Sequence, residues 1–426
     1  PIHNEDQTLW ITYNGEVYNH PELRRALAAK GHRFYTHCDT EVILHLYEEA
    51  GPACVSELNG QFAFAIWDTR KRELFMARDR LGVRPLHYAL HDGELVFASE
   101  IKAIFAGADL PRQLDPRALD QVFTVWTTLP GRSAFAGVDE LPPGHHATLS
   151  SGRLRVERYW APPFVPTEAL VDRPVEALAE EVHRLLLDAV RLRLRADVTV
   201  GSYLSGGLDS SAITALIAQN FDSRLKTFGI RFENPDFDEG PFQQLLADAL
   251  QLDHREILAG TADIAAGFPE VVRHCETPLL RTAPVPLFLL SRLVRDSGIK
   301  VVLTGEGSDE FFGGYSIFQE ARIRRFMARH PGSTWRPVLL QQLYPEIFRN
   351  PTSRLTHTAF FGRDLDRTAD PLFSHLIRWE GTRKNKVFFS EDLRQRIGAA
   401  PIYDEIVRGL PDDFVRWPPL SQAQYL

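Results

Sequence analysis

The stretch YLSGGLDSSA, residues 203–212, decides the fold of half the chain. Before it, VTVGSYL reads as a short buried strand, and after it SSAITALIAQN carries the apolar spacing of a helix. A strand that turns through two glycines into a helix lies where open α/β sheets hold their ligands, at the carboxyl end of the strand. Gly206 and Gly207 let backbone N–H groups approach an anion, and the helix N-terminus adds positive potential. Leu204 ends the strand, while Ser205, Ser210 and Ser211 supply hydroxyls. A Walker loop would add a lysine that reaches the outer phosphates. This loop, read as running up to a helix at 211–219, holds Asp209 instead, which repels phosphate unless a divalent cation intervenes. Magnesium, which bridges carboxylate and phosphate oxygens, is the expected intermediary.

The pattern extends on both sides. LKTFGIRF reads as a strand, EGPFQQLLADALQL and VPLFLLSRLVRDSG as helices, and KVVLTG as another strand. Such alternation implies right-handed crossovers and a parallel α/β sheet. From about residue 320 the chain reads as mostly helical, with basic runs RIRRF and RKNK. Residues 8–100 follow another grammar. TLWITYNG is a strand; HPELRRALAAKG and DTEVILHLYEEAG are helices, the second with Asp39 or Thr40 as N-cap. Hairpins turning at Thr69–Arg72 and Asp92–Gly93 imply an antiparallel sheet. Between the halves, APPFVPTEALVDRP reads as a linker, unless its prolines lie on a domain surface. The expected organisation is 1–160, a linker at 161–175, and 176–426.

Composition bounds the rest. A chain of 426 residues with 44% hydrophobic content can build two or three cores, and a net charge of −8 argues against nucleic acid as a partner. No apolar run long enough to span a bilayer and no signal peptide is read. Three cysteines, at 38, 54 and 275, form no CxxC pair, so the expectation from them is a cytosolic protein with neither a disulfide framework nor a zinc site. Cys54 and Cys275 read as small apolar residues. Both ends look cut: Pro1 leads straight into an apolar strand, and LSQAQYL stops where Ser421 would cap a helix barely begun. A fragment is favoured over a processed chain.

SGGLDS resembles the pyrophosphate-holding loop of the N-type ATP pyrophosphatases, among them asparagine, argininosuccinate, GMP and NAD synthetases. That resemblance implies that the β,γ-pyrophosphate is gripped while the α-phosphoryl group is attacked, so pyrophosphate is a leaving group. VVLTGEGSDEFFGGY, 301–315, is similar to the SGEGSDE loop of glutamine-hydrolysing asparagine synthetase. The resemblance implies magnesium on Asp209 and Asp309, Glu306 in forming and aminating the acyl-adenylate, and ATP contacts from Thr304, Gly305 and Ile230. Thr304 stands where that family usually has serine, which keeps the hydroxyl.

YNGEVYNH, 13–20, resembles the YNGEIYN segment of class II glutamine amidotransferases, an Ntn-type αββα fold. DTEVIL, LNGQFAFAIWD and ARDRLGVRPLHY follow in order. By this resemblance the Asn14 side chain and Gly15 amide form an oxyanion hole, and Glu16 and Asp39 bind glutamine, Asp39 through its α-ammonium group. Taken alone, Asp39 is equally a helix cap. Two departures stand out. The family's N-terminal cysteine nucleophile is absent, since the chain starts at Pro1; Cys38, beside Asp39, is rejected as a substitute. The late lysine before an ExRxPFLD segment has no counterpart, and Lys384 and Lys386 read as surface residues.

The expected function is ATP-dependent conversion of aspartate and glutamine to asparagine, with magnesium, small-molecule substrates and a homodimer as an allowed assembly. Two alternatives stay open: another carboxylate acceptor, as in β-lactam synthetases, lasso-peptide cyclases or polysaccharide and peptide-modifying amidotransferases; and a non-catalytic relic. A third, a phosphoribosyl amidotransferase, is set aside because it leaves SGGLDSS unused. Arg281 in ETPLLRTAP is either a carboxylate clamp or, the commoner role, a surface or helix-capping arginine.

Overall fold

Two kinds of sheet divide the chain in the computed structural model, which describes residues 1–221, 224–348 and 351–426. The first half holds β1 (Ile2–His3), β2 (Leu9–Val17), β3 (Gly60–Asp68), β4 (Glu73–Arg78), β5 (His87–His91), β6 (Glu94–Ala98), β7 (Asp139–Glu140), β8 (His145–Ser150) and β9 (Arg153–Arg158). These pair antiparallel as a six-stranded sheet, β1-β2-β3-β4-β8-β9, and a three-stranded sheet, β6-β5-β7. Helices α1 (His20–Ala29), α2 (Asp39–Ala50), α3 (Ile101–Gly107) and α4 (Pro116–Val125) belong to the same half.

The alternation of β3 explains the packing, because successive side chains face opposite ways. Phe62, Phe64 and Ile66 join Leu27, Val42 and Leu46 in a core against α1 and α2. Ala63 and Ala65 join Met76, Leu86, Tyr88 and Leu141 in a second core toward the smaller sheet. Burying each large side chain is worth about 1.5–3 kcal/mol. Both hairpins turn where expected; Asp92 and Gly93 have φ of 50° and 82°, the left-handed pair of a two-residue turn.

The second half begins with α5 (Val175–Arg193) and contains β10 (Val200–Tyr203), α6 (Leu208–Asn220), β11 (Lys226–Phe232), α7 (Gly240–Leu250), β12 (Asp253–Ala259), α8 (Thr261–Cys275), α9 (Pro284–Asp296), β13 (Val301–Leu303), α10 (Ser308–Phe312) and α11 (Ser316–Ala328). Its four strands are parallel, in the order β12-β11-β10-β13. The sequence reading passed over β12, DHREILA, because this edge strand exposes charged side chains instead of forming an apolar run. No described helix is long and apolar enough to cross a membrane.

Several expectations are corrected. The N-cap of α2 is Cys38, not Asp39 or Thr40. Helix α6 starts at Leu208, so Asp209 lies in its first turn instead of the loop. A first-turn carboxylate is favoured there by the helix dipole. Cys275 is exposed, not apolar filling. Ser421 lies inside the helix Pro419–Tyr425, for which Pro418 is the N-cap. The proline-rich 161–174 stretch is partly pinned: Phe164 packs on Trp417, and Thr167 Oγ1 donates to the Arg416 carbonyl 3.1 Å away. Nor are the basic runs mere decoration. Arg324 of RIRRF is fully buried and donates to the carbonyls of Phe361, Phe373 and Arg363. Lys386 of RKNK reaches across to Asp120 and Thr124 on α4. Beside it, Arg117 pairs with Glu405 at 2.8 Å and Trp126 Nε1 donates to Thr382 Oγ1 at 2.6 Å, so α4 docks the first half onto the C-terminal helices.

Candidate active sites

Strands β10 and β13 lie side by side in register, Ser202 opposite Leu303, so the loops that follow them leave the sheet at one level. In the first loop Gly206 has φ +90°, a conformation that favours glycine, and a side chain would meet the Glu239 carbonyl at 3.0 Å. Ser210 is buried, and its Oγ accepts from Ser205 N at 3.1 Å and pairs with Ser205 Oγ at 2.9 Å. Ser205 Oγ also accepts from Gly207 N at 3.2 Å. Two of the three hydroxyls read as donors, those of Ser205 and Ser210, therefore brace the loop itself. Leu204 is buried beneath it and donates its N–H to the Phe228 carbonyl at 2.9 Å, whereas Leu208 is 84% exposed on the outer side.

The second loop presses on the first. A Cβ at Gly305 would stand 2.8 Å from Ser210 N and 2.9 Å from Asp209 Cβ. Thr304 Oγ1 accepts from the Glu306 N–H at 3.3 Å, and the Glu306 side chain is exposed. Asp309 sits in the first turn of α10. Desolvation first, then Asp209 and Glu310, raise its carboxyl above the ordinary aspartate value. Two mutually repelling carboxylates at a sheet edge suit a hard divalent cation, which takes oxygen donors and offsets both charges.

Two residues here escaped the sequence reading. Gln243, 1% exposed on α7, donates through Nε2 to the carbonyls of Ser205 at 3.1 Å and Ile230 at 3.0 Å, tying the loop to β11. Nothing local marks a helical glutamine as that tie. Gln424 holds the other loop through the carbonyls of Glu310 and Phe311, at 2.8 and 2.9 Å. Beyond the ends of β11 and β12 lies a cavity of about 800 Å³, lined by Phe232, Phe237, Ile264, Phe268, Leu280 and Arg281 among others. The Arg281 guanidinium stacks 4.5 Å above the Trp126 ring.

The second group of candidates gathers where β2 meets α2. Asn14, Gly15 and Glu16 pair in β2 with Ala63, Phe62 and Gln61 of β3. A side chain at Gly15 would collide with the Gln61 carbonyl at 2.2 Å. Asp39 is not spent on capping α2. Its Oδ2 accepts from Tyr13 OH and from Val17 N, each at 2.8 Å, which fixes the carboxylate against β2. Burial first, then Asp39, holds the Glu16 carboxyl above its usual range, against the opposing charge of Arg84. Asn14 Nδ2 donates to Ser99 Oγ at 3.0 Å. Two residues on, the N–H groups of Ile101 and Lys102 donate to Glu276 at 2.6 and 2.7 Å. A carboxylate from the second half thus holds the start of α3.

The ARDRLGVRPL motif is wrapped round its own charges. Buried Asp79 accepts from the N–H groups of Phe62, Leu81, Val83 and Arg84, while Arg78 bonds the Gly82, Arg84 and Leu141 carbonyls and pairs with Glu140. Arg84, carried by that loop, is the positive charge that partly offsets the upward shift of Glu16.

Each half matches a different family model: residues 1–160 a glutamine amidotransferase domain, residues 181–426 asparagine synthase. The chain is 38% identical over 331 residues to Asparagine synthetase [glutamine-hydrolyzing] 3 of Bacillus subtilis (strain 168), covering 74% of this chain and 53% of that protein. It is 37% identical over 334 residues to Asparagine synthetase [glutamine-hydrolyzing] 3 of Arabidopsis thaliana, covering 75% and 51%. Amidase chyE of Penicillium rubens is 29% identical across 100% of this chain and 65% of its own length. The chain spans about half the length of the curated synthetases it matches. With more than half of its residues inside one family model, the chain belongs to the asparagine synthase family.

Proposed function

We propose that the full-length protein is an ATP-dependent amide ligase that makes asparagine and glutamate from aspartate, glutamine and water, with AMP and pyrophosphate as the other products. The observation that carries this reading is the contact between Gly305 and the Asp209–Ser210 backbone, which brings two loops, each leading into an acidic first turn of a helix, to one end of a parallel sheet. In this reading residues 1–160 are an αββα glutaminase, 161–175 a connection, and 176–426 an ATP pyrophosphatase with a helical C-terminal part. Free, dispersed cysteines are consistent with a cytosolic setting.

Asp209 and Asp309 would hold magnesium, which neutralises phosphate charge when bound. Ser205, Gly206, Gly207 and Ser210 shape the backbone cradle for the departing pyrophosphate. Thr304, Gly305, Leu204 and Ile230 border the nucleotide. An aspartate side-chain oxygen bonds to the α-phosphorus as the α–β bridge breaks, its electron pair leaving on pyrophosphate. Ammonia then attacks the carbonyl carbon of β-aspartyl-AMP, and AMP departs as Glu306 takes up a proton. In the other half Asn14 and Gly15 stabilise the oxyanion of glutamine hydrolysis, while Glu16 and Asp39 orient the substrate. For Asn14 to do so, its side-chain N–H must turn from Ser99 toward the substrate.

One observation favours a second acceptor class. The 800 Å³ cavity is mostly apolar, with Arg281 at its wall, which suits a carboxylate bearing an apolar body. Pyrophosphate release by the full-length protein, measured with aspartate and with apolar-bodied carboxylates, separates the readings. Release with aspartate alone supports asparagine formation; release only with apolar carboxylates moves the acceptor; no release with any carboxylate rejects the ligase.

A further inference from the structure

Far from both loops, four side chains from three segments converge on one point. Glu5 comes from the turn between β1 and β2, His32 from the connection between α1 and α2, and His45 and Glu48 from one face of α2. One ligating atom from each lies within 4.8 Å of all the others. His45 Nδ1 stands 2.7 Å from Glu48 Oε2 and 3.6 Å from Glu5 Oε2, and His32 Nδ1 stands 3.4 Å from the same Glu48 oxygen. Bonds of about 2.0–2.2 Å to zinc place two tetrahedral ligands roughly 3.3 Å apart, so small side-chain movements bring these atoms onto one ion.

The surroundings hold three of the four groups by their other atom. Glu48 Oε1 accepts from Asn4 Nδ2 at 2.7 Å, and Glu5 Oε1 accepts from Arg33 N at 2.8 Å, leaving Oε2 of both turned to the histidines. His32 Nε2 faces Glu49 Oε1 at 3.0 Å, and His45 Nε2 faces buried Glu41 Oε1 at 3.7 Å. The Glu49 carboxylate behind His32 is the arrangement that fixes the tautomer of a metal-bound histidine and raises its basicity, whereas His45 Nε2 is buried without a hydrogen-bond partner among the described residues. His45 is fully buried, whereas Glu5 is exposed, which gives an ion a way in. Two imidazoles with two carboxylates suit a borderline divalent ion better than calcium or magnesium, which prefer all-oxygen sites.

We propose that Glu5, His32, His45 and Glu48 form a tetrahedral zinc site that ties the first strands and the α1–α2 connection to α2. Its place is structural: α2 carries Asp39 at its start, about 1.7 turns before His45. The test titrates the protein with zinc chloride in excess magnesium, so that the loop carboxylates are already saturated. Calorimetry reads stoichiometry and affinity, and thermal unfolding reads linkage. One zinc per chain should bind and raise the melting temperature. Glu5→Gln and His32→Gln, both outside the buried core, should each weaken binding at least about tenfold and abolish the thermal shift. Glu49→Gln should weaken it by a smaller factor. No saturable binding by the folded wild-type protein, or unchanged affinity in Glu5→Gln and His32→Gln, overturns the proposal and leaves an ordinary ion-pair network.

Discussion

The candidate carboxylates of the two halves are held in opposite ways. Asp39 in the antiparallel half is braced by a phenol and a backbone N–H, both at 2.8 Å. Asp209 and Asp309 in the parallel half lie in the first turns of two helices, and Asp309 is raised by desolvation, then by the charges of Asp209 and Glu310. In the proposed reading the first arrangement is set before a small cationic head group arrives, and the second gains its counter-charge with the cation it would hold. Recognition of an ammonium group needs a fixed carboxylate; release of a polyanion needs a clamp whose grip depends on what it holds.

The sharpest way to break this contrast is Asp209→Asn in the full-length protein. Pyrophosphate formation should fall about 10²–10³-fold with glutaminase activity nearly intact; an equal fall in both activities would mean that the halves do not work separately. Asp39→Asn should do the reverse, raising the glutamine KM about 10–100-fold while ammonia-driven amide formation persists. Lys386→Met should lower stability by about 1–3 kcal/mol, since among the described residues Asp120 then keeps Arg117 as its ion-pair partner, whereas exposed Lys384→Met should stay within about 0.5 kcal/mol. Denaturant unfolding compares the two.

The smallest effect carries a sign. A carboxyl raised in the folded state binds its proton more tightly there than in the unfolded chain, so stability falls as pH rises from the ordinary aspartate value of 3.8 through the raised one. Asp309→Asn should therefore melt slightly higher than wild type at pH 7 and equally at pH 3. Magnesium with ATP should reverse the order at pH 7. A lower melting point for Asp309→Asn at pH 7 without ligand would contradict the repulsion.

Much of this was readable from local pattern. Gly206, the Asp92–Gly93 turn and the strand–loop–helix order around Ser205 follow from backbone chemistry that neighbouring residues decide. What stayed hidden depends on contacts far along the chain. DHREILA lacks an apolar run because it is a charged edge, yet it pairs with β11 from Lys226 to Phe232. Lys386 looked solvated in RKNK because its partner Asp120 lies 266 residues earlier. The brace on Asp39 joins strand and helix through Tyr13, which no spacing rule connects. Gln243 and Glu276 belong to the same class, ordinary polar residues made specific by what folds against them.

The most direct test follows the phosphates of ATP. Incubating the full-length enzyme with nucleotide labelled at the α-phosphate, glutamine and its acceptor carboxylate should give label in AMP, with unlabelled pyrophosphate in equal amount. Labelled ADP with orthophosphate would contradict the account, because the paired acidic loops would then be passing on an outer phosphoryl group in place of releasing the outer two together.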